Sequence, residues 1–160
     1  TATFLSSGEG DNIWRYWKIG MDIHATGILI ININDDTSEL HREMPVPELH
    51  GPRSIGSKTL NDNQWHHIAF FRDKAQGIIR GYVDGMVDIE FQDPTQDISD
   101  ANATHNGLLL GKSVLVPDIS TEEEYIGDVA VTGAYPYALT LEEVQEHYQT
   151  QRPKFEGVTT

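Results

Sequence analysis

The chain has 160 residues and no cysteine, which excludes disulfide bonds and thiolate metal sites. Its 25 Asp and Glu residues outnumber 11 Lys and Arg, and the resulting net charge of -14 repels nucleic acid and anionic membranes. This length fits one domain with a sizeable core, and no apolar run is long enough to predict a membrane-spanning helix. The first ten residues lack the pattern of a signal peptide.

Short β-like segments separated by turn residues dominate the chain. Residues 15–23 and 27–33 predict a hairpin around a three-residue turn. Residues 34–63 are mostly polar and contain Pro45, Pro47 and Pro52, and they predict a loop with at most one short strand. Proline lacks the backbone donor that a central sheet strand needs.

The middle of the chain predicts a three-stranded meander. Its strands are residues 65–72, 78–83 and 86–91, and the second and third are joined by Asp84-Gly85. An Asp-Gly pair between two β-rich runs is a strong hairpin signal, because both residues tolerate a positive φ angle.

The last third predicts two more strands, residues 107–111 and 125–134, followed by one helix. Thr140 can cap this helix and Glu143 can complete a capping box. The apolar stripe of the helix consists of Leu141, Val144 and Tyr148. Pro153 ends the helix. Residues 151–160 form a polar tail.

Two motifs carry a family resemblance. The first, NDNQWHHIAFFRDKAQGIIRGYVDGMV, and the second, GDVAVTGAYPYALTLEEVQEHY, resemble the signature of laminin G-like modules in the concanavalin A-like lectin and glucanase superfamily. The resemblance implies an all-β fold over residues 1–150: an antiparallel β-sandwich with jelly-roll topology and a short C-terminal helix. Family members usually begin with a further strand or two, so the resemblance implies either that these strands are rearranged here or that a partner chain or a longer protein completes the sheet.

The adjacent histidines His66 and His67 pose a choice between chemistry and architecture. Neighbouring residues of a strand point to opposite faces, so these two side chains cannot share a ligand. We expect His66 to lie on the face of Ile68 and Phe70, and His67 to lie on the opposite face. Architecture is therefore favoured, with one histidine bonded to a neighbouring backbone group or loop.

The favoured function is non-catalytic recognition of a glycan or a protein surface, outside the cell or on its surface. Aromatic faces stack on sugars and are also common in protein interfaces. The candidate ligand-binding residues are Trp14, Tyr16, His50 and Arg53. The alternative is a structural or accessory subunit or domain of a larger enzyme.

Two further hypotheses come from the resemblance. Laminarinase-type glycoside hydrolases of the superfamily place two carboxyl groups on one face of a strand. Here Met86, Asp88 and Glu90 are expected on one face, but methionine stands at the nucleophile position, so we expect no catalytic residues in this chain. Calcium is the other hypothesis, with Asp11 and Asp128 as candidate ligands, because many relatives bind this ion through oxygen ligands.

Overall fold

The computed structural model describes residues 2–8, 15–21, 27–35, 53–93, 108–111 and 125–157, and the fold is given for these residues. They form eight strands and one α-helix, which a single 3₁₀ turn follows. The elements are β1 (Ala2–Gly8), β2 (Arg15–Met21), β3 (Ile28–Asp35), β4 (Arg53–Thr59), β5 (Ile68–Asp73), β6 (Ile78–Val83), β7 (Met86–Gln92), β8 (Leu108–Leu110), α1 (Leu141–Gln151) and the 3₁₀ turn (Arg152–Lys154).

The strands form two antiparallel sheets. The five-stranded sheet has the order β4-β3-β2-β1-β8, and the three-stranded sheet has the order β5-β6-β7. The second sheet is the predicted meander, because consecutive strands are neighbours throughout it. The described fold is thus mostly antiparallel sheet with one short C-terminal helix, which confirms the all-β prediction.

One face of each sheet contributes to a shared hydrophobic core. Leu29 and Ile31 of β3 are fully buried together with Ile79 of β6. Gly81 of β6 lies so close to the other sheet that an added Cβ would be 2.6 Å from the Cδ1 atom of Ile31. The two sheets therefore meet face to face at β3 and β6.

The opposite face of the three-stranded sheet is also covered. Tyr82 of β6 packs there with Leu139 and with Val144 of α1. Phe71 joins this second cluster, whereas its neighbour Phe70 packs in the core between the sheets. This division confirms the predicted alternation along β5, and it explains why the strand is apolar at both odd and even positions.

The helix begins as the sequence predicts. The hydroxyl of Thr140 accepts a bond from the N–H of Glu143 at 3.2 Å, and the Glu143 carboxylate accepts one from the N–H of Thr140 at 2.7 Å. Val144 is fully buried, but Leu141 is 45% exposed, so the buried stripe is narrower than predicted. None of the helices in the described part of the chain has the length and apolar character to cross a bilayer.

The turn that follows α1 also packs on the domain. The ring of Phe155 lies 4.9 Å from the ring of Trp65, centroid to centroid. Trp65 precedes β5, so the end of the described chain contacts the start of the three-stranded sheet. Two aromatic rings at this distance stabilise a contact beyond the area that they bury.

Two strand predictions need correction. Residues 125–134 form no strand in the structure, although Val129 and Val131 have the alternation of one. These valines are 44% and 64% exposed, because no sheet of the described chain pairs with them. Strand β1 was not predicted, because its sequence ATFLSSG is rich in small polar residues.

Substitution of Gly81 tests the contact between the sheets. Gly81→Ala should lower the free energy of unfolding by about 1–3 kcal/mol, because the new methyl group overlaps the side chains of Leu29 and Ile31. The measurement is urea denaturation. Gly133→Ala is the control, since a Cβ there would lie 3.6 Å from the nearest atom, in the ring of Tyr135. Equal effects of the two substitutions would contradict the packing.

Candidate functional site

A large cleft of about 1320 Å³ lies beside β5. Residues from both faces of β5, Ile68 and Phe70 on one and Ala69 and Phe71 on the other, line it together. A cleft over one face of a strand would be lined by alternate residues only. The cleft therefore runs along the edge of β5 that faces away from β6.

The far wall of the cleft is a segment without helix or strand, residues 125–139, which we call the crossing segment. It is held at both ends. The N–H of Tyr125 donates to the carbonyl oxygen of Gly111 at 2.9 Å, and its ring packs edge-on against Phe4. At the other end Leu139 is buried with Tyr82 and Val144.

Between these two anchors the crossing segment exposes large apolar side chains. Ile126 is 96% exposed and Val131 is 64% exposed. The remaining exposed members are Val129, Tyr135 and Tyr137. Single exposed apolar residues are normal on a protein surface, but a run of five on one short segment is typical of an interaction site.

A polar network closes one end of the cleft, and its centre is the carboxylate of Asp84. Asp84 and Gly85 have φ angles of 52° and 77°, as the predicted two-residue hairpin requires. One oxygen of Asp84 contacts His66 Nδ1 at 2.9 Å and also the Lys58 ammonium. The other oxygen accepts a bond from the N–H of His67 at 3.0 Å.

These contacts set the charges of the network. Partial burial alone would raise the pKa of Asp84, but the hydrogen bonds from His66 and Lys58 hold that pKa well below its ordinary value. The bond to Asp84, followed by the bond to Asp62, raises the pKa of His66 despite the burial of the ring. The Asp62 contact is at His66 Nε2, 3.0 Å away, so both ring nitrogens face a carboxylate.

His67 has different surroundings from His66. Its ring lies 6.1 Å from the ring of Tyr148 in α1, and burial lowers its pKa. The strand begins at Ile68, so both histidines precede it and the predicted strand start at residue 65 is wrong; the two rings nevertheless make different contacts. The prediction that one of them bonds a neighbouring loop is confirmed at His66, whose partner Asp84 is in the β6–β7 turn.

The proposed hydrolase strand, β7, differs from the prediction. A β-bulge shifts its pairing, so Met86 is opposite Val83 while Glu90 is opposite Arg80. Since Val83 and Arg80 point to opposite faces of β6, Met86 and Glu90 do as well, and the prediction of one shared face is wrong. Glu90 bonds Arg80 at 2.6 Å.

Asp88, which lies at the bulge, contacts the other sheet. Its Oδ1 atom accepts bonds from the N–H and the hydroxyl of Ser57 in β4, at 3.0 and 2.8 Å. The adjacent residue Gly56 has no room for a side chain, since a Cβ there would lie 1.9 Å from Asp88 Oδ2. Asp88 therefore connects the edge strands of the two sheets.

Two of the four predicted ligand-binding residues lie outside the described residues. Trp14 and His50 lie outside them entirely. Tyr16 is in β2 opposite Asn34, and Arg53 is in β4 opposite Asn32, but their side chains are not among the described ones. The backbone thus places these two positions on either side of β3, at the same end of the five-stranded sheet.

The calcium candidates are not brought together in the described structure. Asp11 lies outside the described residues, and Asp128 is exposed in the crossing segment, where its carbonyl oxygen accepts a bond from the Tyr125 hydroxyl at 3.4 Å. Within the described ranges, no three His, Asp or Glu side chains are grouped so as to hold a metal ion.

Sequence reasoning missed the cleft and the exposure of its far wall. The alternation at Val129 and Val131 indicates a strand, and a strand would have buried these residues.

Comparison with known proteins gives two findings. The family model described as the concanavalin A-like lectin/glucanases superfamily matches residues 2–145. Among solved structures, the chain is similar to residues 221–444 of an S-layer domain-containing protein from Clostridium thermocellum ATCC 27405, with 14% identity and a TM-score of 0.47. The similarity covers 89% of this chain and 60% of that chain, so the chain spans less than two thirds of its length. No curated protein matches the chain.

Removal of the charge on Asp84 should destabilise the fold. Asp84→Asn keeps a residue that tolerates positive φ but weakens the contacts to Lys58 and His66, so we expect a loss of about 2 kcal/mol in unfolding free energy at pH 7. Urea denaturation measures it. Asp62→Asn is the control, because Asp62 also bonds His66 but is 44% exposed. A loss at Asp62 as large as that at Asp84 would contradict the central position of Asp84.

The raised pKa of His66 predicts a pH dependence of stability. A protonated His66 stabilises the folded state, so its contribution is fully present below its ordinary pKa of 6.5 and is lost as pH rises through the higher folded pKa. The difference in unfolding free energy between the native chain and His66→Gln should therefore shrink as pH rises from about 5.5 to 8.5. His67 is present in both proteins, so the contribution of its titration cancels in the difference between their unfolding free energies. A difference that grows with pH would refute the assignment.

Proposed function

Because this chain belongs to the concanavalin A-like lectin/glucanase superfamily, we propose that it is a non-catalytic recognition domain with a jelly-roll β-sandwich. The face-to-face contact of the two sheets at β3 and β6 supports the sandwich. The proposal assigns recognition to the crossing segment, and the observation that carries it is the exposed apolar run from Ile126 to Tyr137.

The chemistry of this run favours a polypeptide as the partner. Ile126, Val129 and Val131 are aliphatic, and aliphatic side chains bind by excluding water from other apolar groups. A sugar-binding surface instead needs flat aromatic faces with polar groups beside them. Tyr135 and Tyr137 alone provide aromatic faces in this run, and their ring centroids are 6.2 Å apart at a steep angle, which gives no flat platform.

A glycan site remains a separate proposal, at Trp14, Tyr16, His50 and Arg53. Its support is that Tyr16 and Arg53 lie at the same end of the five-stranded sheet. Two further proposals come from the family pattern. One is calcium binding at Asp11 and Asp128, and the other is a location outside the cell or on its surface. An accessory role within a larger protein is compatible with the recognition role, because both need the same exposed segment.

Glycoside hydrolysis has the weakest support. Retaining hydrolysis needs two carboxyl groups about 5 Å apart and on the same side of the substrate. In β7 the side chain at the nucleophile position is that of Met86, which is 71% exposed, and Glu90 points to the other face. We expect no release of reducing sugar from laminarin. Turnover that is lost in Glu90→Gln would overturn this expectation.

Selection of binders tests recognition. A random peptide display library and a glycan array would be presented to the native chain and to the variant Ile126→Asn with Val131→Thr. We expect selected peptides to bind the variant at least about tenfold more weakly, because the substitutions remove exposed apolar groups from the crossing segment. Calorimetry would measure the affinities.

A matched variant controls for a general loss of apolar surface. Met86→Asn with Val87→Thr introduces the same two polar residues at exposed apolar positions in β7, which are 71% and 46% exposed. This variant should bind the selected peptides as the native chain does. Binders that respond equally to both variants, or to neither, would overturn the role of the crossing segment.

A further inference from the structure

We propose that residues 147–157, which we call the C-terminal segment, separate from Trp65 and His67 in mildly acidic solution, because positive charge then builds up at their contact. The event is a local opening of the domain and leaves its two sheets in place. It goes beyond the proposed function, because the opening requires no partner at the crossing segment. It also changes that segment, through a contact with Tyr135.

The C-terminal segment is held by little buried apolar surface. In α1 and the 3₁₀ turn, both within the described part of the chain, Val144 is the one buried residue, and it precedes the segment. The contacts of the segment include the ring of Phe155 on Trp65 and the ring of Tyr148 beside His67. Parts of a fold with few buried apolar groups open at a lower free energy than the core does. The segment therefore opens more easily than the sheets.

Two buried polar atoms at this contact have no hydrogen-bond partner within the described residues. They are Nε1 of Trp65 and Nδ1 of His67. A buried polar atom without a partner lacks the bond that it makes to water when it is exposed. Separation of the C-terminal segment gives water access to both atoms. Both atoms therefore favour the open state.

Acid adds positive charge to both sides of the contact. Burial lowers the pKa of His67; the charge of Asp84 partly offsets this effect, and the charge of His147 in α1 adds to it. This effect of His147 requires that the two imidazoles lie near each other. When both are protonated, they repel one another across the contact. The repulsion is relieved when the C-terminal segment carries His147 away.

The charged and titratable groups that face these two imidazoles come from three parts of the fold. Among the described residues they are Asp84 in the β6–β7 turn, Tyr135 in the crossing segment, and Glu143, Tyr148 and the paired Arg152 and Glu156 in α1 and the turn after it. The Asp84 carboxylate already contacts His66 and Lys58, and the Glu143 carboxylate accepts a bond from the N–H of the residue that caps α1. These acids therefore offset the new positive charge only in part.

The direction of the effect follows from the protonation of His67. The closed state binds this proton less tightly than the open state does, since burial lowers the pKa of the closed form. A neutral His67 therefore stabilises the closed state fully above its ordinary pKa of 6.5, and this contribution is lost as pH falls below 6.5 toward the pKa of the closed form. His66 has the opposite dependence, because its protonated form stabilises the fold. The neighbouring histidine is thus a matched control.

Opening also changes the crossing segment. The hydroxyl of Tyr135 lies 3.4 Å from Nδ1 of His147, and the centroids of the two rings are 5.5 Å apart. Tyr135 belongs to the exposed apolar run to which recognition is assigned, and it loses this contact when His147 moves away. A freed side chain must be ordered again on binding. A partner of the crossing segment should therefore bind more weakly in acid.

Native-state hydrogen exchange of the full chain tests the opening. Protection factors, which correct for the pH dependence of the exchange chemistry, would be measured at about pH 7.5 and 5.0, on either side of the histidine titration. At the lower pH, those of residues 147–151 and of the Trp65 indole N–H should fall by at least about fivefold relative to those of Ile79 and Gly81 in β6. An equal fall at all of these sites, or no fall, would overturn the local opening.

Three matched variants identify the histidine responsible. His67→Gln removes the titrating group and should leave the protection of residues 147–151 nearly independent of pH. His147→Gln removes the second charge and should lose part of the dependence, which keeps the test decisive if the first variant folds poorly. His66→Gln makes the same change one residue earlier and should keep the native dependence. A dependence that persists in both of the first two variants, or disappears only in the third, would refute the assignment.

Peptide binding separates this inference from the proposed function. Peptides selected from the display library would be titrated by calorimetry at both pH values. We expect weaker binding to the native chain at the lower pH and little pH dependence with His67→Gln. Affinities that do not change with pH would refute the effect on the crossing segment. Peptides that ignore the crossing segment would overturn the proposed function, whereas the exchange result decides the opening by itself.

Discussion

The packing of β5 and β6 on both faces is the constraint on which the rest of the structure depends. Their inner face needs the five-stranded sheet, and their outer face needs α1 and Leu139. The strands must therefore be apolar at both parities, which makes β5 and β6 nearly continuous apolar runs. Among the described strands, β5 and β7 are therefore the two edges of the three-stranded sheet, and β6 lies between them.

The network around Asp84 positions the start of β5. The carboxylate lies in a hairpin turn of positive φ and bonds the backbone of His67, immediately before β5. It is thus a short polar connection between the β6–β7 turn and the start of the edge strand. The two histidines that first suggest catalysis make structural contacts instead, because His66 bonds Asp84 and the ring of His67 packs beside Tyr148.

Local sequence signals predicted the elements that local interactions determine. The Asp84-Gly85 turn, the β6 boundaries and the Thr140 capping box follow from short-range chemistry and agree with the structure. The bulge in β7 was not predictable, because it depends on Ser57 and Gly56, some 30 positions earlier in the chain. The prediction of a strand in the crossing segment was wrong for a similar reason. An alternating apolar pattern shows a preference for pairing but does not show whether a partner strand is present.

The contact between Gly56 and Asp88 has a consequence for how this sequence can diverge. The carboxylate occupies the space of the missing side chain, so the two positions are a single steric unit shared by two sheets. A descendant sequence that gains a β-carbon at the first position must shorten or lose the acid at the second. Neither substitution is neutral alone, so these two sites are expected to change together or remain fixed.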